Sequence, residues 1–249
     1  MLDSLFDTDS EPIVSLEAVY GAKRSIVEKC IIIFSKAIYD QLHSEKQCEM
    51  IAEIGACGGN IPVWAFDNSG EKIAFYLSPI GSAIAGGTVP EVSHLTGASK
   101  FIMFGSCGSL DGEKTAGRFI IPTEAYRGEG LSYYFAKPQD YIAVKNADRL
   151  AAIFTELSVP FVTGRVWTTE SILRETVNLV KRRKSEGCIA VEMELAGVQA
   201  VCDFYGFELY DFLAAGDVLS EDGYDVGDIA AANHSYDKLR IALKIAERV

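Results

Sequence analysis

Short apolar runs recur along the chain, and turn residues bound each of them. They occupy residues 30–34, 73–77, 100–106, 118–122, 189–193 and 208–216. Most of these runs are continuous rather than alternating, which is typical of strands that are buried on both faces of a sheet. The pattern therefore predicts six strands in the interior of the protein.

Segments with helical spacing of apolar residues lie between these runs. They cover residues 37–44, 86–97, 169–187, 194–206 and 234–249, and several end at a glycine. Strands that alternate with helices predict an α/β fold, with a mostly parallel or mixed sheet covered on both faces. Ligands of such folds bind at the carboxyl ends of strands, so residues that directly follow the apolar runs are candidates for chemistry.

Composition limits the class of protein. The 249 residues include 49% apolar and 23% charged residues, the balance of a globular chain, and no Pro/Gly/Ser-rich linker divides them. We expect one domain over residues 14–249, and a flexible or partner-docked tail over residues 1–13. The formal net charge of −12 argues against a nucleic-acid partner, which would require a basic surface.

Cysteine usage and hydropathy point to a reducing compartment. The six cysteines are scattered and form no C-x-x-C pair, so neither a disulfide framework nor a metal site is expected. The first residues are acidic and do not resemble a signal peptide. No apolar run reaches the roughly 20 residues needed to cross a bilayer. We therefore expect a cytoplasmic protein with no membrane partner.

Two glycine-rich junctions follow apolar runs. In "FGSCGS", residues 104–109, glycines allow a ligand to approach the backbone, and Ser106 adds a hydroxyl group. In "IGSAIAGG", residues 80–87, Gly86 and Gly87 at a helix start would present free N–H groups. The competing interpretation of the first junction is a plain turn from strand to loop, and that of the second is close packing of a helix on the sheet.

A pair of acids marks the end of the fifth run. Glu192 and Glu194 flank Met193, and helical spacing begins at Glu194. The helix dipole stabilises an acid in the first turn, which accounts for Glu194 but not for Glu192. Carboxylates accept hydrogen bonds well from vicinal hydroxyl groups, so sugar recognition would account for both acids.

Asp217 follows the last apolar run and a glycine, in "LAAGDVL". A general acid at the end of a strand would occupy such a position. An aspartate that caps a helix or closes a turn is the competing interpretation.

Taken together, these motifs resemble the nucleoside phosphorylase family, which includes uridine phosphorylase, hexameric purine nucleoside phosphorylase and adenosylhomocysteine-type nucleosidases. The resemblance rests on "GSAIAGGTVPEV", "FGSCGSLDG", "RGEGLSYYF", "VEMELAG" and "AAGDVL", and extends from about residue 30 to the C-terminus. It implies a single-domain, three-layer α/β/α fold whose central mixed sheet is partly barrel-like. It also implies cleavage of the N-glycosidic bond of a nucleoside by phosphate, and a homodimer or hexamer.

The resemblance assigns roles by position. Glu192, Met193 and Glu194 would bind the ribose, Ser106 and Arg127 the phosphate, and Asp217 would protonate the leaving base. Trp167, Glu170 and Ile172 would line the base pocket, where an aromatic ring suits stacking. The resemblance implies no metal or organic cofactor, and phosphate would act as a co-substrate. Asp217 favours a purine, whereas "RGEGLSYYF" resembles the uridine branch, so the base remains open.

The sequence departs from the family where phosphate would bind. Met103 stands where phosphorylases of this family have an arginine, and a thioether cannot replace a bidentate guanidinium. Residues 31–40 lack the Gly-Asp-Pro-x-Arg segment and offer Ser35 and Lys36 instead. Three hypotheses therefore stay open, namely a phosphorylase, a hydrolytic nucleosidase, and a nucleoside-binding protein without catalysis.

Overall fold

The computed structural model describes residues 2–7 and 10–249. The predicted tail, residues 1–13, includes residues 1, 8 and 9, which lie outside the described residues. Of its other residues, Leu2–Leu5 form a short 3-10 helix. The boundary at residue 14 stays a prediction.

The described strands and helices alternate along most of the chain. The strands are β1 Lys29–Ile33, β2 Glu49–Ile54, β3 Ile61–Asn68, β4 Glu71–Leu77, β5 Lys100–Ser109, β6 Phe119–Gly128, β7 Tyr141–Ala143, β8 Phe161–Thr169, β9 Cys188–Glu192, β10 Glu208–Leu219 and β11 Tyr224–Asp225. The helices are α1 Leu16–Tyr20, α2 Lys36–Glu45, α3 Ser82–Thr96, α4 Gly112–Thr115, α5 Ser132–Phe135, α6 Ala147–Glu156, α7 Val177–Ser185, α8 Leu195–Tyr205, α9 Ile229–His234 and α10 Tyr236–Ala246. A second 3-10 helix, Ile172–Arg174, precedes α7.

The strands form one mixed sheet that closes partly on itself. Its order is β11-β10-β6-β8-β9-β5-β1-β4-β3-β2, with β7 beside β6. Because β10 also pairs with β5, strands β10, β6, β8, β9 and β5 form a closed ring. The predicted fold class, an α/β domain with a partly barrel-like mixed sheet, is confirmed.

Strand β5 belongs to both parts of the sheet. On one edge it pairs with β10 in parallel along almost its whole length. On the other edge, residues 100–103 pair with β1, and residues 108–109 pair with β9. In the described part of the chain, residues 104–107 have no strand partner on that second edge. The sheet therefore splits at the middle of β5, and the split leaves backbone available to a ligand.

The six predicted strands are all present, and their burial explains why the pattern identified them. In β1, Cys30–Ile33 are fully buried between two parallel neighbours. The hairpin β2–β3–β4 was not predicted completely, since β2 and β3 carry polar residues on their exposed face.

Two predicted helices begin elsewhere. The segment 169–187 is helical only from Val177, because residues 172–174 turn as a 3-10 helix first. Helix α3 begins at Ser82, so Gly86 and Gly87 lie inside it and do not present free N–H groups. A Cβ atom on Gly86 would overlap Cδ2 of Leu131, whereas its distance of 3.4 Å from the backbone of Gly197 in α8 is an ordinary contact, so this glycine leaves room for the side chain of Leu131.

Among the described residues, no helix is both long and apolar enough to cross a membrane.

Gly97 ends α3 and turns the chain toward β5, which carries Ser106. Its φ is +90°, and a Cβ atom there would lie 2.8 Å from Cα of Ser25. We expect Gly97→Ala to lower the free energy of unfolding by about 1–3 kcal/mol, because both the backbone and the contact become strained. Urea denaturation measures this loss.

Gly87→Ala is the matched control in the same helix. A Cβ atom on Gly87 meets nothing within 4 Å. This substitution should raise the free energy of unfolding by roughly 0.5–1 kcal/mol, since alanine favours the helix. Equal effects of the two substitutions would contradict the proposed origin of the strain at Gly97.

Candidate active site

A cavity of about 640 Å³ opens at the split beside β5. Strand register explains its position, because Gly108 pairs with Val191 on one side and with Asp217 on the other. The ends of three strands therefore meet there. The cavity is lined by Phe34, Ser35, Ile38, Ile80, Phe104–Gly108, Ile172, Leu173, Glu175, Val191–Glu194, Asp217, Leu219, Tyr224, Ile229, Asn233, His234 and Lys238.

A second cavity, of about 520 Å³, lies near Asp111 and Lys184. It is lined by none of the acids at the strand ends. The chemistry described below therefore belongs to the larger cavity, which we call the central cavity.

Glu192 has a structural role as well as a place in the central cavity. It is 5% exposed, and its Oε2 accepts the backbone N–H groups of Glu194 at 2.6 Å and Leu195 at 2.7 Å. The hydroxyl group of Thr168 donates to its other oxygen. Glu192 therefore caps the first turn of α8. Burial, together with the negative charge of Glu194, raises the pKa of its carboxyl group.

Glu194 and Met193 are half-buried and line the cavity beside it. Oε1 of Glu194 accepts the backbone N–H of Gly81 at 2.7 Å, which fixes the side chain against the start of α3. Burial also raises the pKa of Glu194. A fixed carboxylate beside an apolar thioether suits a sugar, which presents hydroxyl groups on one side and C–H groups on another.

Asp217 is positioned by an irregularity in β10. The register of β10 against β5 shifts between Ala215 and Asp217, as in a β-bulge, which re-aims a side chain. Gly216 is required at the bulge, because a Cβ atom there would lie 2.6 Å from the side chain of Ile229. Burial raises the pKa of Asp217, while a hydrogen bond from Tyr224 opposes the shift.

Glu175 is a cavity residue that the sequence analysis missed. It is half-buried just before α7. Burial and the nearby negative charge of Asp217 raise its pKa to about 7. Glu175 and Asp217 therefore form an acidic pair that holds a proton near neutrality.

A buried acid lies deeper in the same region. Asp211 is 1% exposed, and neither of its carboxylate oxygens has a hydrogen-bond partner among the described residues. Burial and the charges of Glu192 and Glu194 raise its pKa well above the ordinary value. Asp211 is adjacent to Met103 in the register of β10 with β5.

Ser106 lines the central cavity, where the resemblance assigns it to phosphate. Its hydroxyl group donates to Oδ1 of Asn233 in α9. Nearby, Oγ of Ser35 lies 2.9 Å from Nδ1 of His234. Met103 is 2% exposed and does not line the cavity.

Arg127, which the resemblance assigns to phosphate, does not line the central cavity. It is 3% exposed, and it donates to Oγ of Ser132 at 2.7 Å and to the carbonyl groups of residues 136, 137 and 139. Its guanidinium group also stacks on Tyr133, 4.1 Å from the ring centre. A buried guanidinium group needs such partners, and Arg127 therefore organises the loop after β6 rather than the central cavity.

Of the three residues predicted to line a base pocket, only Ile172 lines the central cavity, where it is 63% exposed. Trp167 is 3% exposed in a separate apolar cluster with Val180 and Leu219. Strand alternation explains the difference, because the next residue, Thr168, faces Glu192. Glu170 accepts from the N–H of Gly130 at 3.4 Å and does not line the cavity.

The C-terminal helices supply further residues that the sequence analysis did not select. Asn233, His234 and Lys238 all line the central cavity. Lys238 precedes Leu239, Ala242 and Ile245, which are fully buried, and it lies on the same stripe of α10. In the sequence, a lysine at a position where the helical spacing of α10 predicts an apolar residue could have marked Lys238 as a candidate site residue.

No cluster of three or more His, Cys, Asp or Glu side chains suited to a metal ion occurs within residues 2–7 and 10–249.

Comparison with known proteins agrees with this geometry. The model of a family described as the Phosphorylase superfamily matches residues 37–246. A DeoD-type purine nucleoside phosphorylase of Bacillus cytotoxicus is 23% identical over 184 residues, which span 72% of this chain and 78% of the relative. A relative of the same name from Bacillus cereus matches equally well.

Solved structures of nucleosidases share the fold. Futalosine hydrolase of Helicobacter pylori superposes with a TM-score of 0.70 at 16% identity, covering 88% of this chain and 98% of that one. The 5′-methylthioadenosine/S-adenosyl homocysteine nucleosidase of the same organism gives 0.70 at 17% identity, with 89% and 100% covered. The family predicted from the motifs is confirmed, and this chain belongs to the phosphorylase superfamily.

Proposed function

We propose that this protein cleaves the N-glycosidic bond of a nucleoside, with phosphate as the nucleophile. One observation carries the proposal: Glu192, Met193, Glu194 and Asp217 line the same cavity. The first three come from the end of β9, and the fourth comes from β10. The proposed sugar-binding residues and the proposed proton donor would therefore contact the same bound nucleoside.

The acids of β9 suit the sugar. Glu194, fixed by Gly81, accepts hydrogen bonds from vicinal hydroxyl groups, and Met193 packs against the C–H face of the pentose. Positive charge develops on the sugar as the glycosidic bond breaks. The carboxylate of Glu194 stabilises that charge, and it does so more strongly in a partly buried site than in water.

Asp217 suits the leaving base. In the proposed step, an oxygen of phosphate forms a bond to C1′, and the C1′–N bond breaks. The electron pair of the broken bond goes to the base nitrogen, and Asp217 donates its proton to the base. A carboxyl group whose pKa is raised by burial retains that proton nearer to neutral pH, as general acids require.

The base would lie between apolar side chains at the cavity mouth. Leu173 is 87% exposed and Tyr224 is 63% exposed, and both line the cavity with Ile172. Exposed apolar groups of this kind cover a planar base well.

Hydrolysis is the second candidate, and the region of Met103 favours it. This side chain is buried and apolar where the family resemblance implies an arginine, and Arg127 is bonded to its own loop. A site without a guanidinium group for phosphate would use water instead.

A cytoplasmic location and a homodimer or hexamer remain predictions from the sequence.

The decisive test is base release from adenosine, inosine and uridine, with and without inorganic phosphate. We expect release that depends on phosphate and yields ribose 1-phosphate. Equal release without phosphate, with free ribose as product, would instead establish the hydrolytic candidate. Binding of nucleosides with no turnover under either condition would leave a binding protein and refute both enzymatic proposals.

Glu194→Gln tests the sugar contact. Glutamine still offers an oxygen to the N–H of Gly81, but it lacks the charge that strengthens hydrogen bonds to hydroxyl groups. We expect the affinity for nucleoside to fall about 10- to 100-fold, the cost of one hydrogen bond to a charged group. Isothermal titration measures the affinity, and Glu113→Gln, an exposed acid on α4, serves as the control. Unchanged affinity would exclude ribose from this position.

Asp217→Asn tests the proton donor. Asparagine cannot donate an acidic proton, so kcat should fall about 10²- to 10⁴-fold. In the unsubstituted protein, kcat/KM should decline as pH rises through the raised pKa of Asp217, since only the protonated form is active. The variant should lose this decline, whereas Asp222→Asn, an exposed acid in the next turn, should keep it. A pH profile that is identical in all three proteins would exclude Asp217 as the acid.

A further inference from the structure

The central cavity is strongly acidic apart from one buried cation. Glu175, Glu192, Glu194 and Asp217 line it, and among the described lining residues Lys238 is the only lysine or arginine. Lys238 comes from α10, an element that carries none of the motifs of the family resemblance. The family motifs therefore do not account for the positive charge of Lys238 in the cavity.

Lys238 is buried without an acidic partner. The residue is 2% exposed, and its Nζ donates to the carbonyl groups of Ala232 at 2.5 Å and Asn233 at 3.5 Å. In the described part of the chain, no carboxylate forms a salt bridge with it, and burial lowers its pKa to about 8. A buried ammonium group bonded only to neutral groups is costly, and an anion in the cavity would remove that cost.

Polar groups converge on the same end of the cavity. We use the name polar cluster for Ser35, Ser106, Asn233, His234 and Lys238, all of which line the cavity. Two hydrogen bonds join its members across the fold, one from Ser106 to Asn233 and one between Ser35 and His234. Hydroxyl groups, an imidazole and an ammonium group are suitable donors to the oxygens of a phosphate group.

Ser35 brings a helix end to this cluster. It is the N-cap of α2, a helix of ten residues, and its Oγ accepts the N–H of Ile38 at 3.3 Å. The positive end of the helix dipole adds to the charge of Lys238. Three separate parts of the chain therefore contribute: the β1–α2 junction, β5, and the α9–α10 segment.

We propose that the polar cluster binds a phosphate group, and that Lys238 supplies the positive charge that the resemblance would have placed at Met103. This inference rests on the proposed function, since it concerns the same cavity. The phosphate has two possible sources with the same chemistry. One is free inorganic phosphate that attacks C1′, and the other is the 5′-phosphate of a nucleotide substrate.

Capping of α9 is the competing role for Lys238. A lysine that only neutralises the last carbonyl groups of a helix would stabilise the protein without binding anions. The two roles differ in a measurable way, because a cap does not respond to added phosphate.

The test is the midpoint of thermal unfolding, Tm, measured with increasing inorganic phosphate at constant ionic strength and without nucleoside. We expect phosphate to raise Tm of the unsubstituted protein, and Lys238→Met to weaken the apparent phosphate affinity about 10- to 100-fold. Lys244→Met is the matched control, since Lys244 is a largely exposed lysine of the same helix, paired with Glu247. It should retain the full response.

Ser106→Ala keeps the proposal testable if Lys238→Met does not fold, because it removes one donor from a different element. It should also weaken the phosphate response. A Tm that phosphate does not raise in the unsubstituted protein, or an equal rise in Lys238→Met, would overturn the proposal in favour of the helix cap.

Two further incubations identify the source of the phosphate. Adenosine with inorganic phosphate should yield ribose 1-phosphate if the free anion binds, whereas adenosine 5′-monophosphate alone should yield ribose 5-phosphate if the nucleotide binds. Because phosphate binding is measured without any nucleoside, the experiment tests the anion site independently of catalysis. Phosphate-dependent base release with no effect of phosphate on Tm would refute only the site, and phosphate binding without base release would refute only the proposed reaction.

Discussion

The position of the central cavity depends on how β5 shares its hydrogen bonds. Its edge toward β1 is paired at residues 100–103, and its end is paired with β9 at residues 108–109. The unpaired stretch between them exposes Gly105 and Ser106 at the split in the sheet. Since β10 pairs with β5 along its other edge, the register of these two strands places Asp217 beside Gly108. One shared strand thus sets the distance between the end of β9, which carries Glu192, and Asp217 in β10.

Glu192 connects the stability of the fold with the composition of the site. Its carboxyl group accepts the first N–H groups of α8, and Thr168 holds it from β8. Glu192 therefore both caps α8 and lines the central cavity. A change that loosened the start of α8 would at the same time displace Met193 and Glu194. The sequence alone explained Glu194 by the helix dipole, whereas the structure shows that Glu192 performs the capping.

Sequence patterns identified six of the eleven described strands and the acidic residues Glu192, Glu194 and Asp217. They did not identify β8 or all of the residues that line the cavity. Continuous apolar runs revealed β1, β5 and β9, because burial on both faces leaves no polar positions there. Arg127 and Trp167 lie outside the central cavity. Their positions in the sequence could not show this, because position in a motif does not indicate which way a side chain points or whether groups of its own loop occupy its hydrogen bonds. Lys238 was missed because α10 carries none of the motifs, and only the chain's path brings it to the cavity. Glu175 was missed although it follows Ile172 by three residues, since nothing in its position marks it as a cavity residue.

The raised pKa values around the cavity also affect the charge that the protein carries in solution. The formal net charge of −12 counts every carboxyl group as ionised. Asp211, Glu175 and Glu192 retain protons at higher pH than free side chains do, because burial disfavours their anions. Folding is therefore accompanied by proton uptake from the buffer, which for Glu175 and Glu192 occurs near neutral pH. The native molecule consequently migrates in an electric field as a less acidic particle than its composition suggests.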